Sequence, residues 1–450
     1  MNLRQSLTIE RMGQKGEGLA RTDRGFIAVP YALPGETVLA EVDGERASLV
    51  EVTQASPERI APFCKHFTIC GGCAVQTWNA RAYQEWKRSL VVQALDHAKV
   101  KADVAPLIDA HGEGRRRVTF HARFDRDALG RTETVVGFMR ARSHDMVQLD
   151  DCPILAPSLA QSVPVARAVA QVLSQLTKPL DIVVTATLEG LDVDFRGTGK
   201  LSFEISQALV SLAGKLDLAR LSNHGEIVIE RRAPLIQMGK ARVAPPPGGF
   251  LQATELGEET LAQLVMQGIG KAKRVADLFA GSGTFTMRLA ERAEVLAVES
   301  DAAALAALER GAHYTQGLRT VTTEKRDLFR RPLIPMELNR FDAVVMDPPR
   351  AGAEEQARDL ATSHVPTIVS VSCNAQTFAR DAKILIDGGY QLRGVTPVDQ
   401  FRHSARRPRP SAGLVCSADR AGLRQRIWEE PVQMGGKSLP LPLACRPSLG

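Results

Sequence analysis

The feature that most constrains this chain is an apolar run that leads into a glycine turn and then a helix. Val275-Ala276-Asp277-Leu278-Phe279 reads as a buried strand, and Ala280-Gly281-Ser282-Gly283-Thr284 follows it directly. Further strand-like runs alternate with helix-like segments after this point. Such alternation predicts an α/β fold with a doubly wound parallel sheet of the Rossmann type. The predicted strands are 275–279, 295–299, 341–347 and 367–372, and the predicted helices are 285–293 and 302–312.

Two regions with other patterns precede this predicted sheet. Short alternating runs at 6–10, 26–30 and 37–42 predict a small OB-like antiparallel β-barrel over residues 1–57. Residues 58–244 mix both patterns and predict an α+β central domain, with a helix at 79–97 and a strand at 182–187. Three consecutive prolines exclude helix and central strand, so Pro245 to Gly249 reads as a linker into a third domain, 245–450.

Composition narrows the classes of function. The 450 residues are 44% hydrophobic, which allows a sizeable core, yet no apolar run reaches the roughly 18 residues that a membrane helix needs. The first residues lack a signal-peptide pattern, so we expect a cytoplasmic protein without membrane contact. A net charge of +6 suits a polyanionic partner such as nucleic acid, and a solvated basic surface explains it equally well.

The glycine turn predicts a nucleotide-like cofactor. Gly281 and Gly283 would let the backbone approach a ligand closely, and the following helix would offer free N–H groups. Glu299 ends the second predicted strand, where a carboxylate can accept hydrogen bonds from ribose hydroxyls. NAD and S-adenosylmethionine both match this outline, and a tight turn without a ligand is the simpler alternative.

Two later motifs favour methyl transfer. Asp347-Pro348-Pro349-Arg350 follows one predicted strand and Ser372-Cys373-Asn374 follows the next, so both should lie at the carboxyl edge of the sheet. A nicotinamide dehydrogenase needs neither motif and would have a third glycine in the turn. Methyl transfer to the unreactive C5 of uracil needs a nucleophile, because addition of a thiolate to C6 activates C5. Cys373 is the predicted nucleophile, although a strand-end cysteine by itself is more often buried filler.

The stretch from Gly248 to His403 resembles the catalytic domain of the bacterial RNA 5-methyluridine methyltransferases. The resemblance rests on Phe250-Leu251-Gln252 together with the two motifs around Asp347 and Cys373. It implies methylation of a uridine C5 in RNA by S-adenosylmethionine, through a covalent bond from Cys373 to C6. Thr284 stands where the family usually has Asn. The cofactor-binding residues implied by the resemblance and the glycine turn are Gln252, Phe279, Gly281, Gly283, Thr284, Glu299, Asp327 and Asp347.

A cysteine cluster lies in the central region. Cys64, Cys70 and Cys73, with Cys152 far downstream, could bind zinc or an iron–sulfur centre, or carry no ligand. The spacing resembles the [4Fe-4S] site of the 23S ribosomal RNA branch of this family, which implies a structural or RNA-positioning cluster on all four cysteines.

Two further segments bear on RNA binding. The run Ala32-Leu33-Pro34-Gly35-Glu36 resembles a TRAM domain, an RNA-binding module, and with the cluster it implies ribosomal rather than transfer RNA. A transfer-RNA uridine-C5 methyltransferase is the alternative. Arg115-Arg116-Arg117 would contact phosphates or form a solvated charge run. We expect a monomer without an obligate protein partner.

The resemblance breaks after Ala405. Phe401-Arg402-His403-Ser404 matches the start of a family motif that ends in a proton-abstracting Glu, but Pro408 holds the Glu position. The proline-rich tail, 406–450, shows no pattern for a closing strand, which suggests a reading-frame shift near Ala405. A diverged tail is the alternative, with Glu429 or Glu430 as a substitute base. A catalytically impaired RNA-binding iron–sulfur protein is therefore a competing hypothesis.

Overall fold

The computed structural model describes residues 3–126, 132–176, 178–404 and 413–420. These residues form a closed barrel, a seven-stranded sheet, a two-stranded ribbon and an eight-stranded sheet. No helix within them is both long and apolar enough to span a bilayer. The position predicted to have lost the proton-abstracting base, Pro408, lies outside the described residues. The two candidate substitute bases, Glu429 and Glu430, also lie outside them.

The first five strands close into the predicted barrel. Alternate side chains of these strands point inward, so Leu7, Ile9, Val29 and Val38 form its core. The strand order around the barrel is β1-β2-β3-β5-β4. The strands are β1 (Leu3–Met12), β2 (Glu17–Thr22), β3 (Gly25–Pro30), β4 (Thr37–Asp43) and β5 (Arg46–Gln54).

The central sheet buries one face and leaves the other largely polar. Phe120 and Ile182 face a core shared with Leu173 and Leu209 on two covering helices. The strand order is β13-β12-β11-β10-β7-β8-β9. The elements, in chain order with those that precede and follow the sheet, are α1 (Ala80–His97), β6 (Ile108–Asp109), β7 (Arg117–Arg126), β8 (Thr132–Met139), β9 (Met146–Gln148), α2 (Ser162–Leu173), β10 (Leu180–Thr187), β11 (Gly190–Arg196), α3 (Phe203–Lys215), β12 (Arg220–Asn223), β13 (Glu226–Glu230), β14 (Ile236–Met238) and β15 (Ala241–Val243).

The third sheet has the predicted doubly wound arrangement. Its order is β18-β17-β16-β19-β20-β22-β21-β6, and the first five strands run parallel. Apolar strand residues are buried on both faces, as a sheet covered by helices on both sides requires. The elements are α4 (Glu255–Ile269), β16 (Arg274–Leu278), α5 (Thr286–Leu289), β17 (Glu294–Glu299), α6 (Ala302–Tyr314), β18 (Val321–Lys325), α7 (Pro335–Leu338), β19 (Ala343–Met346), α8 (Glu354–Thr362), β20 (Thr367–Ser372), α9 (Ala375–Asp387), β21 (Tyr390–Asp399) and β22 (Gly413–Arg420).

Two elements depart from the sequence prediction. The tail does contain a closing strand, because β22 pairs antiparallel with both β20 and β21. This run holds no proline, so every residue can donate to the ladder, and the prolines that suggested an unstructured tail flank it. The helix after the glycine turn is also shorter than the predicted 285–293, because residues 290–293 form the turn that leads from α5 into β17 at Glu294.

The helix α1 and the strand β6 pack on the third sheet although they precede the central sheet in sequence. Val91 and Leu95 share a core with Phe378 of α9, and β6 pairs with the end of β21. Lys87 and Asp399 form a buried ion pair at this contact, with Nζ and Oδ1 3.1 Å apart. The cysteine-bearing loop before α1 is thereby held against the end of the third sheet.

Candidate active site and cysteine cavity

The turn after β16 adopts a backbone that favours glycine. Phe279, Gly281 and Gly283 have φ angles of 64°, 55° and 101°. A Cβ on Gly281 would meet no atom within 4 Å, so this residue borders open space. A Cβ on Gly283 would lie 3.1 Å from side-chain atoms of Leu308 and Met287, so Gly283 also permits close packing of α6.

Glu299 fastens this turn to the start of α6. Its Oε2 accepts a hydrogen bond from the amide of Gly281 at 2.9 Å. Its Oε1 accepts from the amides of Ser300 and Asp301 at 2.6 and 2.9 Å, and from the Ser300 hydroxyl. Since Oε1 already has three donors, only Oε2 retains capacity for another hydroxyl.

Asp347 lies beside the glycine turn and receives a side-chain amide. Its backbone amide donates to the carbonyl of Leu278 at 3.2 Å, and Nε2 of Gln252 donates to its Oδ2 at 3.2 Å. Burial raises the pKa of the Asp347 carboxyl to about 7, and the hydrogen bond from Gln252 opposes that shift. The carboxylate therefore depends on Gln252 for its charged form near neutral pH.

Asp277 is a site residue that sequence reasoning did not select. It is fully buried at the end of β16, where the Thr286 hydroxyl donates to its Oδ2 at 2.5 Å. Its Oδ1 has no hydrogen-bond partner among the described residues. Burial raises the pKa of Asp277 to about 7, and the charges of Asp347 and Glu299 raise it further. A carboxylate directly before a glycine turn was the sequence signal that could have identified it.

Cys373 lies on the turn between β20 and α9, half-buried. Asn374 caps α9 and its Nδ2 donates to the carbonyl of Arg350 at 3.0 Å, which joins the two predicted motif loops. Burial raises the pKa of the Cys373 thiol, and Asp347 raises it further, while Arg350 lowers it by charge and by a hydrogen bond. Arg350 is therefore the group that favours the thiolate here.

The remaining predicted cofactor residues line the same edge of the sheet. Asp327 follows β18 with an exposed carboxylate, whose Oδ1 accepts from the amide of Phe329 at 3.0 Å. The rings of Phe279 and Phe329 lie 5.6 Å apart. Thr284 contributes its carbonyl to Arg288 at 2.9 Å. Because β16 to β20 are parallel, their carboxyl ends meet at one edge, and all of these residues follow such an end.

Two of the three arginines in the predicted charge run make internal contacts instead. Arg116 is buried and paired with Glu258, and its Nε donates to the carbonyl of Gln252 at 3.1 Å. Arg117 donates to the carbonyls of Gly248 and Gly249. Arg117 therefore holds the linker in place, and Arg116 joins Gln252 to the start of α4. Arg115 lies over the ring of Phe401, with its guanidinium carbon 5.4 Å from the ring centroid.

The four clustered cysteines line one small cavity apart from this edge. Cys64, Cys70, Cys73 and Cys152 all contribute to its wall. Burial raises the pKa of Cys73 to about 11 and that of Cys152 to about 12, and the neighbouring cysteines raise both further. Within the described part of the chain, no group of three or more histidine, cysteine or carboxylate side chains is placed to hold a metal ion.

Comparisons with known proteins decide the family. A family model for tRNA (uracil-5-)-methyltransferase matches residues 250–406. An uncharacterized RNA methyltransferase of Brucella suis is 49% identical over 399 residues, 89% of this chain and 95% of that protein. The 23S rRNA (uracil(1939)-C(5))-methyltransferase RlmD of Aeromonas salmonicida is 32% identical over 419 residues, 89% of this chain and 94% of that protein. The chain belongs to the RNA uracil-C5 methyltransferase family.

A solved structure supports the fold of this RNA uracil-C5 methyltransferase. The tRNA (uracil-54, C5)-methyltransferase of Pyrococcus abyssi, in complex with S-adenosyl-L-homocysteine, matches with a TM-score of 0.70 at 20% identity. The match covers 92% of this chain and 100% of that one. The doubly wound fold and the family membership predicted from the sequence are thus confirmed. Membership also makes S-adenosylmethionine the methyl donor and RNA the substrate.

One further residue of the methyltransferase site was missed in the sequence. Gln400, at the end of β21, donates from Nε2 to Oε1 of Gln252 at 2.9 Å. It lies 148 positions along the chain from Gln252, and no local pattern connects the two residues. Sequence spacing could not reveal this contact, because it forms only when the residue after β21 packs against the segment before α4.

Proposed function

We propose that this enzyme methylates C5 of a uridine in ribosomal RNA through a covalent bond between Cys373 Sγ and C6 of the base. The observation that carries the proposal is the position of Cys373 beside Arg350 and Asp347, at the edge where the glycine turn ends. A thiol at this edge can reach a base that has left its stack, as base-modifying enzymes require.

The chemistry follows from the electronics of uracil. The Cys373 thiolate adds to C6, and the electron pair of the C5–C6 bond moves onto C5 and O4. C5 then takes the methyl group from the sulfonium of the donor, and S-adenosylhomocysteine leaves. A base must afterwards take the proton from C5, so that the C5–C6 double bond reforms and the thiolate departs. Pro408 cannot accept that proton, so turnover requires another group as the base in this chain.

The residues proposed to bind S-adenosylmethionine combine negative charge with open backbone. The donor carries a positive sulfonium, which the carboxylate of Asp347 would attract in a half-buried cleft. Oε2 of Glu299 has the capacity to accept from a ribose hydroxyl, and Gly281 borders the open space. The full proposed set is Gln252, Phe279, Gly281, Gly283, Thr284, Glu299, Asp327 and Asp347.

We propose that the cysteine cavity holds a [4Fe-4S] cluster on Cys64, Cys70, Cys73 and Cys152. All four donors are thiols around one cavity, a set that suits iron–sulfur chemistry. The buried Nε2 of His66 also lines this cavity and has no hydrogen-bond partner among the described residues. Cluster sulfide or a metal-bound cysteine thiolate would offer that nitrogen an acceptor at this cavity. A bound cluster would supply the positive charge that keeps four neighbouring thiolates together.

The RNA is proposed to lie along two adjoining cavities, the first between the barrel and the central sheet and the second on the central sheet itself. One cavity of about 280 Å³ is lined by Lys15, Tyr31, Arg140 and Arg142. A second of about 220 Å³ is lined by His121, Arg123 and Arg196 on the polar face of the central sheet. Met139 lines both cavities, so the two adjoin. Glu17 lines the first and Asp181, which pairs with His121, lines the second, while the other charged lining side chains are basic. Cations on phosphates and an aromatic ring under a base are the elements that bind single-stranded RNA.

Ribosomal RNA is favoured over transfer RNA by the barrel and the cysteine loop, which flank the first cavity together. Gly71, Cys73 and Ala74 of the loop and Lys15 of the barrel contribute to the same wall. An RNA in this cavity would contact both segments, and the resemblance that implies ribosomal RNA rests on these two segments. We further propose a cytoplasmic monomer.

The decisive experiment combines the purified protein, S-adenosylmethionine and unmodified ribosomal RNA, followed by a denaturing gel and nucleoside analysis. Free 5-methyluridine over many turnovers supports the full reaction and shows that another base replaces the missing Glu. A persistent protein–RNA adduct that disappears in Cys373→Ala supports the nucleophile and shows blocked release. Neither product nor adduct, with RNA still bound, would establish the impaired RNA-binding protein instead. Transfer RNA assayed in parallel tests the choice of substrate.

Metal content and RNA affinity test the two remaining proposals. Anaerobically purified protein should contain about four iron and four sulfide per chain, and Cys64→Ser should lose them. Zinc, or no metal, would overturn the cluster.

The slope of log K against log salt concentration measures how many cations contact the RNA phosphates. Replacing Lys15, Arg140 and Arg142 by Ala should reduce the magnitude of this slope by about 2. The matched control replaces Lys215, Arg292 and Arg310, exposed cations outside both cavities, and should leave the slope unchanged.

A further inference from the structure

Gln400 occupies an enclosed position against Gln252, Ala253 and the start of α4. Its side chain is 2% exposed. A Cβ on Gly257 would lie 2.4 Å from its Cγ, so the absence of a side chain in α4 makes room for it. Its Oε1 accepts from the backbone amide of Ala253 at 3.0 Å, and its Nε2 donates to Oε1 of Gln252 at 2.9 Å.

These contacts determine the orientation of two side-chain amides in series. An amide can turn over and exchange its oxygen and nitrogen, but a backbone N–H can only donate. The Ala253 N–H must therefore face the oxygen of Gln400, which turns the Gln400 NH₂ towards Gln252. Gln252 must then present its oxygen to Gln400, and its own NH₂ faces Oδ2 of Asp347.

We infer that Gln400 is a positioning residue that holds the Gln252 amide with its donor towards Asp347 and so strengthens the binding of S-adenosylmethionine. The inference rests on the proposed role of Gln252 and Asp347 at the cofactor site. Gln400 itself acts through Gln252 and has no assigned contact with the cofactor. A reversed Gln252 would place an oxygen against the Asp347 carboxylate, and the two acceptors would repel each other.

The orientation of the Gln252 amide affects the charge of Asp347. Its pKa is raised to about 7 by burial, and the hydrogen bond from Gln252 lowers it. An unfixed Gln252 would donate for less of the time, so the pKa of Asp347 would rise and less carboxylate would be present at neutral pH. The titratable groups on which the charge of Asp347 acts are Asp277 and Cys373. Glu299 also acts on Asp277 and Arg350 on Cys373, and the Arg116–Glu258 pair lies behind Gln252.

The first test is calorimetric titration of S-adenosylmethionine into the full-length protein across the neutral pH range. Wild-type affinity should rise as the pH rises through about 7, because the anionic form of Asp347 binds the cationic donor. Gln400→Met keeps the size of the side chain but removes both hydrogen bonds. It should weaken binding about fivefold at pH 7 and move the midpoint to higher pH.

A double-mutant cycle separates orientation from packing. With Gln252→Met there is no amide to orient, so adding Gln400→Met should change the affinity by less than about twofold. An equal loss in both backgrounds would overturn the inference. If Gln252→Met binds too weakly to measure, selectively ¹⁵N-labelled glutamine supplies the answer without cofactor. The Gln252 NH₂ protons should exchange slowly in the wild type and rapidly in Gln400→Met, and unchanged exchange would overturn the inference.

Gln356→Met is the matched control. Gln356 is 1% exposed and its amide pairs with the amide and the carbonyl of Leu333, at 2.9 and 3.0 Å. It should lose comparable stability while cofactor affinity and its pH midpoint stay unchanged.

If the wild type does not bind S-adenosylmethionine, the proposed cofactor site fails, whereas the exchange measurement still tests the orientation. If Gln400→Met binds like the wild type at every pH, the inference fails and the proposed function stands.

Discussion

The backbone amide of Ala74 donates to the carbonyl of His403 at 2.7 Å. This contact joins the cysteine loop to the turn that follows β21, and a β-bridge between Cys73 and Ser404 extends it. The hydroxyl of Tyr83 accepts from the amide of His403 at 3.2 Å and donates to Asp399 at 2.8 Å. The cysteine loop, α1 and the end of the catalytic sheet therefore meet at one buried set of polar contacts.

Removing the Tyr83 hydroxyl should weaken this junction. Tyr83→Phe leaves the His403 amide without its acceptor and deprives Asp399 of a donor, so the free energy of unfolding should fall by about 1–3 kcal/mol. Urea denaturation measures the change. Tyr314→Phe removes the same hydroxyl at a side chain that is 81% exposed, and should be neutral. Equal effects of the two variants would contradict the role of the junction.

The nucleophile can be separated from cofactor binding. Cys373→Ala should lower the rate of uridine methylation by roughly 10³-fold or more, because the activated C5 can no longer form. Binding of S-adenosylmethionine, measured by calorimetry, should remain. Cys416→Ala, at a cysteine to which we assign no function, is the control. A Cys373→Ala enzyme that still methylates at a comparable rate would rule out the covalent route.

A methyl group added to the glycine turn should weaken cofactor binding as well as stability. Gly283→Ala places a side chain at a φ of 101° and against Leu308 and Met287, so we expect weaker binding of S-adenosylmethionine. Gly317→Ala imposes a similar backbone penalty at a φ of 80°, but its Cβ would meet nothing within 4 Å. Gly317→Ala should lose about 1 kcal/mol of stability from backbone strain and Gly283→Ala at least as much, and only Gly283→Ala should lose affinity. Equal affinities in calorimetry would place the turn outside the cofactor site.

Asp277 should make the fold less stable at higher pH. Burial raises its pKa from 3.8 to about 7, so the folded state holds a proton that the unfolded state has released between those values. Stability from this group is therefore lost as the pH rises from about 4 to about 7. Asp277→Asn should stabilise the protein by roughly 2 kcal/mol more at pH 8 than at pH 5 in urea denaturation.

An exposed aspartate supplies the control for that pH dependence. Hydrogen bonds from Arg232 and Arg231 lower the pKa of Asp217 to about 2. Because its folded pKa is depressed, its stabilisation is complete above the unfolded pKa and is lost only in stronger acid. Asp217→Asn should therefore change the unfolding free energy equally at both pH values. A pH-independent effect of Asp277→Asn would contradict the assigned burial.

The periodic patterns of the sequence determined the main architecture. Alternating runs predicted the barrel, and strand–helix repeats after Pro245 predicted the parallel sheet, because burial of one strand face or of both leaves a local signature. The motif positions of Asp347 and Cys373 followed for the same reason, since the carboxyl ends of parallel strands share one edge. The pattern misjudged β22, because flanking prolines obscured a proline-free run.

Only the tertiary structure decided what these groups contact. Arg116 belongs to an exposed-looking charge run in the sequence, yet it is buried against Glu258 because the linker and α4 close over it. Gln400 reaches Gln252 across most of the catalytic region, and Ala74 reaches His403 across most of the chain. Such contacts bring together residues that are distant in sequence, and no local spacing encodes them. The orientation of the Gln252 amide towards Asp347 depends on those contacts alone.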